Sequence, residues 1–204
     1  MASMTGDRFD RIFSRAPIMA ILRGYSPQRT VELATLAWEV GVDAVEVPIQ
    51  SPLAVEALRA CVDAGARQGR LVGAGTVVSV EHVATAADAG AVFTVAPGLD
   101  LEVAEASVAA GLSHLPGVGT ATEVQRAMGA GLRWVKAFPA DALGTAWVRG
   151  IRGPFPDVRI VATGGISSRN AADFLAAGAD VVAVGSALED ESQLHLLADL
   201  IRAH

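Results

Sequence analysis

The chain has 204 residues, 51% hydrophobic and 19% charged, with a formal net charge of −6. That balance fits a single domain with one sizeable core and excludes a disordered chain. It also offers no basic stripe for nucleic acid, and no apolar run approaches the ~20 residues of a membrane span. The opening stretch MASMTGDRFDRIFSR has no apolar signal core, so a soluble, cytoplasmic protein is expected. The single cysteine, Cys61, sits in the apolar pattern AVEALRACVDAG and reads as a buried helix residue.

In chain order, residues 5–15 form a candidate extra helix. Eight apolar, β-branched runs follow: IMAILRG (18–24), AVEVPIQ (44–50), LVGAGTVV (71–78), VFTVAPG (92–98), LSHLPGVG (112–119), WVKAFPA (134–140), RIVATGGIS (159–167) and VVAVGSAL (181–188). Their starts lie about 20–27 residues apart, the spacing of βα units. Between them, residues 28–40, 52–65, 80–89, 101–110, 122–130 and 170–177 have helical periodicity; the second ends in Gly65 and each of the others is followed by a glycine. Ser51 and Pro52 fit the N-cap and N1 of the second of these. Strands apolar almost throughout imply a parallel sheet buried on both faces. Eight such units predict one (β/α)8 TIM barrel spanning 1–204, with the extra N-terminal helix across its bottom. A doubly wound open sheet is the rival architecture.

A barrel of this kind works at the C-terminal ends of its strands. The polar or special residues there are Arg23, Glu46, Gln50, Thr76, Pro97, Thr120, Lys136, Thr163, Gly164, Gly165, Gly185 and Ser186. Of sixteen basic residues, fifteen are arginine, and Lys136 is the one lysine. Arginine cannot lose its proton and become a nucleophile, whereas lysine can. Alternation places Trp134, Lys136 and Phe138 on one strand face. If that face is interior, desolvation disfavours the ammonium and leaves an amine able to attack a carbonyl. The bland alternative is a lysine snorkelling at a strand end.

Glu46 lies in the apolar run AVEVPIQ, and buried carboxylates are rare unless paired. It reads either as the partner of Lys136 or Arg23 in a buried ion pair or as a general acid/base. Gly164–Gly165 and Gly185–Ser186 end the last two strands, where barrels often bind phosphate through backbone N–H groups. Arg23 is placed to meet a phosphate or a carboxylate, or else to form a rim salt bridge. His82, His114, His195 and His204 show no metal-ligand spacing, and His114 reads as a core residue. No G-x-S-x-G elbow or Walker loop occurs.

The motifs AVEVP, GAGTV, VAPG, LPGVGTATE, VKAFPA, ATGGIS and VGS, in this order, resemble the bacterial 2-keto-3-deoxy-6-phosphogluconate (KDPG) aldolase family. That family includes 4-hydroxy-2-oxoglutarate (KHG) aldolase and the 6-phosphogalactonate-type aldolases, and the likeness runs from Pro17 to Ser186. The resemblance implies that Lys136 forms a Schiff base with pyruvate and that Glu46 is the general acid/base. It implies that Thr76 and Pro97 belong to the pyruvate pocket and that Phe138 packs on the substrate. Gly164, Gly165 and Ser186 would hold the phosphate. It further implies a homotrimer and a reaction with neither metal nor other cofactor. Two positions divide the branches of the family. Gln50 stands where many KDPG aldolases have an arginine for the pyruvate carboxylate, and AILRG and EVPIQSP look closer to the galactonate type. Thr163 looks like the gluconate type. The rival functions are a phosphosugar isomerase or epimerase, which would need a carboxylate pair or a metal, and a non-catalytic phosphosugar sensor.

Overall fold

A computed structural model describes residues 6–185 and 199–202. Helix α1 (Gly6–Ile12) precedes β1 (Ile18–Ile21). Then α2 (Pro27–Glu39), β2 (Ala44–Pro48), α3 (Pro52–Ala66), β3 (Val72–Gly75), α4 (Val80–Asp88), β4 (Phe93–Val95), α5 (Leu101–Ala109) and β5 (Ser113–Leu115) alternate. After β6 (Gly117–Val118) come α6 (Ala121–Gly129), β7 (Trp134–Ala137), α7 (Ala140–Arg152), β8 (Arg159–Thr163), α8 (Ala171–Ala176) and β9 (Val181–Val184). Every pairing is parallel, in the order β5-β4-β3-β2-β1-β9-β8-β7-β6. This is a nearly closed α/β barrel.

The described strands number nine, not eight, because the fifth predicted run is divided at Pro116. Proline has no N–H for a ladder. The first piece pairs with β4 and the second with β7. The Pro116 carbonyl accepts from Lys136 N at 2.8 Å, which draws the two ends of the sheet together. In the eighth run β9 covers Val181–Val184, and residues 186–188 lie outside the described residues. Between 140 and 159 the structure has a helix that the sequence reading does not name. Its turns are disguised by Gly144, whose φ of 74° and ψ of 165° break the helical run.

The strand alternation sorts residues into two cores. Ile18, Ala20, Val45, Val47, Val72, Ala74, Val135, Ile160 and Val182 face the helices. Met19, Ile21, Phe93, Val95, Leu115, Trp134, Val161 and Ala183 pack together within the barrel. Helix α1 plugs the barrel bottom. Its Phe9 meets Phe93 edge-on at 5.6 Å, and Phe13 packs 5.0 Å from Trp134. The Trp134 indole donates to Asp10 at 2.9 Å, while Arg8 donates to the carbonyls of Val92 and Gly111. The predicted extra helix therefore exists and seals the interior from below.

At the top, the strand-to-helix junctions leading into α2 to α6 each carry a side-chain cap, whereas those leading into α7 and α8 do not. Ser26, Ser51, Ser79, Asp100 and Thr120 accept from backbone N–H groups of the first turns of α2 to α6. These caps fix the short loops that surround the mouth. Phe9 is 1% exposed at the centre of the plug. Phe9→Ala should cost about 3–5 kcal/mol in urea unfolding, and a loss below about 1 kcal/mol would place α1 outside the cooperative core.

Candidate active site

On β7 the alternation runs as expected. Trp134 points into the bottom plug and Lys136 lies above it, 3% exposed, with Phe138 at the mouth. The Lys136 Nζ stands 5.0 Å from the centroid of the Phe138 ring. The β7 backbone is held on both sides, by β6 (Gly117 opposite Lys136) and by β8 (Val161 opposite Lys136). The amine therefore projects from a rigid strand rather than a loop.

Glu46 is 0% exposed in the middle of β2, opposite Ile21 on β1 and Gly73 on β3. Neither carboxyl oxygen has a hydrogen-bond partner among the described residues. Burial raises its pKa from the ordinary carboxylate value, and the positive charges of Lys136 and Arg23 pull it partly back. The Thr163 hydroxyl, 3% exposed at the end of β8, is likewise buried without a partner. Buried polar groups are almost always satisfied. Three unsatisfied oxygens at the functional end of one barrel mark a site built for a ligand or for ordered water.

A cavity of about 650 Å³ opens over these groups. Its wall carries Arg23, Gln50, Thr76, Pro97, Lys136, Phe138 and Thr163, and also Gly164, Gly165 and Gly185. Glu46 stands below the wall, fully buried. Ser186 lies outside the described residues. Thr120 is not on the wall; its hydroxyl caps α6 in a capping box with Glu123. Tyr25 and Ile166 line the cavity too, and sequence reasoning missed both. Each follows a strand end by a few residues, so only the known path of the loop brings it inward.

Arg23 donates through Nη1 to the Gln50 side-chain oxygen. A guanidinium has only donors, so the Gln50 carbonyl must face it and the amide NH2 must face elsewhere. Thr76 has φ of 57°, the one positive-φ residue other than glycine among those described. For a β-branched residue this conformation is strained. It is held from both sides, by Ile49 N on Gly75 O and Val77 N on Val95 O, each at 3.0 Å. In the loop after β8, the Gly164 carbonyl accepts from Asp141 N and the Gly165 carbonyl from Asn170 Nδ2. Those acceptors are thus tied into the scaffold, and the Asp141 side chain packs against Gly165.

His114 belongs to the outer core, as expected. Its Nδ1 lies 2.8 Å from the Thr94 hydroxyl, and burial lowers its pKa to about 4. Among the described residues no three His, Cys, Asp or Glu side chains converge to hold a metal, and no helix is long and apolar enough to cross a membrane. A second hollow of about 520 Å³ at the barrel bottom holds Arg152 and Arg159, but both pair with Asp180.

The family model for KDPG and KHG aldolase matches residues 9–200. The 2-dehydro-3-deoxy-6-phosphogalactonate aldolase of Escherichia coli K12 is 35% identical over 176 residues, which cover 86% of this chain and 85% of that one. The KHG/KDPG aldolase of the same organism is 34% identical over 168 residues, 82% and 78% of the two chains. In three dimensions the chain is similar to the KDPG aldolase of Legionella pneumophila with pyruvate captured as a covalent carbinolamine. The TM-score is 0.80 with 28% identity, over 94% of this chain and 95% of that one. The chain thus belongs to the KDPG and KHG aldolase family, barrel lyases that act through a covalent Schiff base.

Proposed function

We propose that the chain is a class I aldolase that cleaves a 2-keto-3-deoxy-6-phospho sugar acid to pyruvate and glyceraldehyde 3-phosphate, with 4-hydroxy-2-oxoglutarate as a shorter substrate. The observation that carries this reading is the single lysine of the chain, buried on a barrel strand and acting electrostatically on a buried carboxyl group that accepts no hydrogen bond from the described residues. The isomerase and sensor readings have no use for such an amine. The chain would act as one catalytic domain, in the cytoplasm, as the homotrimer that the family resemblance implies.

In the proposed reaction the Lys136 amine adds to the C2 ketone to give a carbinolamine. Glu46 passes a proton to the departing hydroxyl, directly or through water, and the protonated imine remains. Glu46 then takes the proton of the C4 hydroxyl as the C3–C4 bond breaks. The bonding electrons pass into the imine, which becomes an enamine, and the aldehyde leaves. Protonation of the enamine at C3 and hydrolysis of the imine release pyruvate and restore the amine. Phe138 packs against the substrate beside the nitrogen. Thr76, Pro97, Arg23 and Gln50 surround the carboxylate end, where the Gln50 amide donates while Arg23 supplies charge. The Gly164–Gly165 loop, Gly185 and Ser186 receive the phosphate through backbone N–H groups and the serine hydroxyl, and Thr163 meets a substrate hydroxyl between the two ends.

Borohydride reduction with pyruvate, followed by peptide mass spectrometry, should place one pyruvyl adduct on Lys136. Lys136→Ala should lose the adduct and nearly all pyruvate release. A folded native chain that forms no adduct would sink the mechanism. Arg23→Ala should raise KM for the 2-oxo acid more than it lowers kcat; an unchanged KM would remove Arg23 from the carboxylate.

Glu46→Gln should slow turnover on the order of 10²–10⁴-fold, and a loss under about tenfold would leave Glu46 a structural role. The same variant carries a stability signature. The folded-state pKa of Glu46 is raised above its ordinary value of 4.5, so the folded chain holds its proton longer than the unfolded one as pH rises. Native stability therefore falls from pH 4.5 up to the folded pKa and then levels off. Glu46→Gln, which cannot ionise, should melt higher than the native chain at neutral pH, with the gap closing towards pH 4. A gap independent of pH would contradict the buried-carboxyl account.

A further inference from the structure

Hydrogen bonding is not what holds the acid/base group between β2 and β3. Neither oxygen of Glu46 has a donor among the described residues. Shape remains. The inner face of β3 presents two glycines, Gly73 and Gly75, where neighbouring strands present side chains. Neither has a positive φ, so the backbone does not demand glycine at either position. Each is required instead by what fills the space beside it. A Cβ on Gly73 would strike the Phe93 ring from β4. A Cβ on Gly75 would overlap the Glu46 Oε1 from β2, and would lie 2.6 Å from its Cδ and 2.7 Å from its Cγ. The three nearest atoms all belong to Glu46, and none is backbone.

We propose that Gly75 is a positioning residue for Glu46: the side chain it lacks leaves the slot in which the carboxyl group stands. The proposal rests on the aldolase reading for the role of Glu46, though the steric pairing of the two residues does not. The consequence is electrostatic as well as geometric. The depth of the carboxyl group sets its desolvation, and its distance from Lys136 and Arg23 sets the opposing attraction. Filling the slot moves both. Because the obstructing atoms are the far end of a flexible side chain, Gly75→Ala displaces the carboxyl group before it displaces a strand.

The test is a double-variant cycle on Gly75→Ala and Glu46→Asp. Gly75→Ala should lower kcat on the order of tenfold or more, as expected for a misplaced acid/base group, and move the acidic limb of the kcat profile. KM should stay within about threefold, as for an effect on chemistry rather than binding, and borohydride should still trap pyruvate on Lys136. Glu46→Asp alone withdraws the carboxyl group and is slow. In the Gly75→Ala background the shorter acid has no atom at the Oε1 position, where the overlap with the added methyl is tightest, so the double variant should be faster than the product of the two single losses predicts. Native kcat and an unmoved acidic limb in Gly75→Ala would overturn the proposal, as would losses in the cycle that simply multiply. If Gly75→Ala does not fold, Gly75→Ala/Glu46→Ala should fold, since the obstruction is gone; failure to recover would also overturn it. Absence of a pyruvate adduct in the native chain would overturn the aldolase reading instead, and the recovery of folding would still decide the Gly75–Glu46 pairing.

Discussion

Everything else in the molecule is arranged around an amine and a carboxyl group held out of water inside one barrel. Burying either as an isolated ion costs several kcal/mol even after the protein relaxes. Two routes reduce that penalty: mutual attraction, or a proton exchanged so that neither is charged. Glu46 shows the conflict directly. Burial pushes its pKa up while the charges of Lys136 and Arg23 pull it down. A group held between those opposing influences responds strongly to any change in the charge beside it, which is the property an acid/base group needs.

That arrangement depends on a dry, rigid container. Helix α1 closes the bottom with Phe9, Phe13 and the Trp134–Asp10 hydrogen bond. Trp134 and Lys136 are two residues apart on one strand face, so the same strand that carries the amine also carries the floor beneath it. The helix caps at Ser51, Ser79, Asp100 and Thr120 fix the rim from above. The strained φ of Thr76 persists because the residues on either side are locked into neighbouring strands. Rigidity is thus concentrated where a carbonyl must meet the amine at a fixed angle.

Much of this was legible in the sequence because its signals are local. Parallel strands buried on both faces leave unbroken apolar runs, and seven of the eight runs each contain one strand. The exception turns on one residue, Pro116, whose missing N–H divides a strand without altering its hydrophobicity. Lys136 stood out by uniqueness, and Glu46 by its apolar surroundings. Positions defined by a neighbouring strand were not legible. Gly73 and Gly75 look alike in GAGT, yet one accommodates Phe93 and the other Glu46, a difference fixed by sheet register and side-chain direction. Tyr25 and Ile166 reach the cavity along loops whose course no periodicity records. The hydrogen bond between Arg23 and Gln50 joins strand ends 27 residues apart, so each residue was recognised while their pairing was not.

The proposed chemistry also conserves the charge that the interior must hold. With a neutral amine and a protonated Glu46, the pair buries no net charge. Once an imine forms, the nitrogen bears a positive charge until the C3–C4 bond breaks, and ionised Glu46 opposite it again makes the sum zero. When the bond breaks, the iminium becomes a neutral enamine and Glu46 has taken the C4 hydroxyl proton, so the sum stays at zero. A proton therefore crosses between substrate and protein in the step in which the nitrogen gains or loses its charge. In a low-dielectric interior an uncompensated charge is the most expensive state available. In the proposed reaction, the burial that makes Glu46 unfavourable as an isolated anion would couple its protonation to the formation and decay of the imine. A carboxyl group in water beside the same amine would remain ionised throughout and would respond far less.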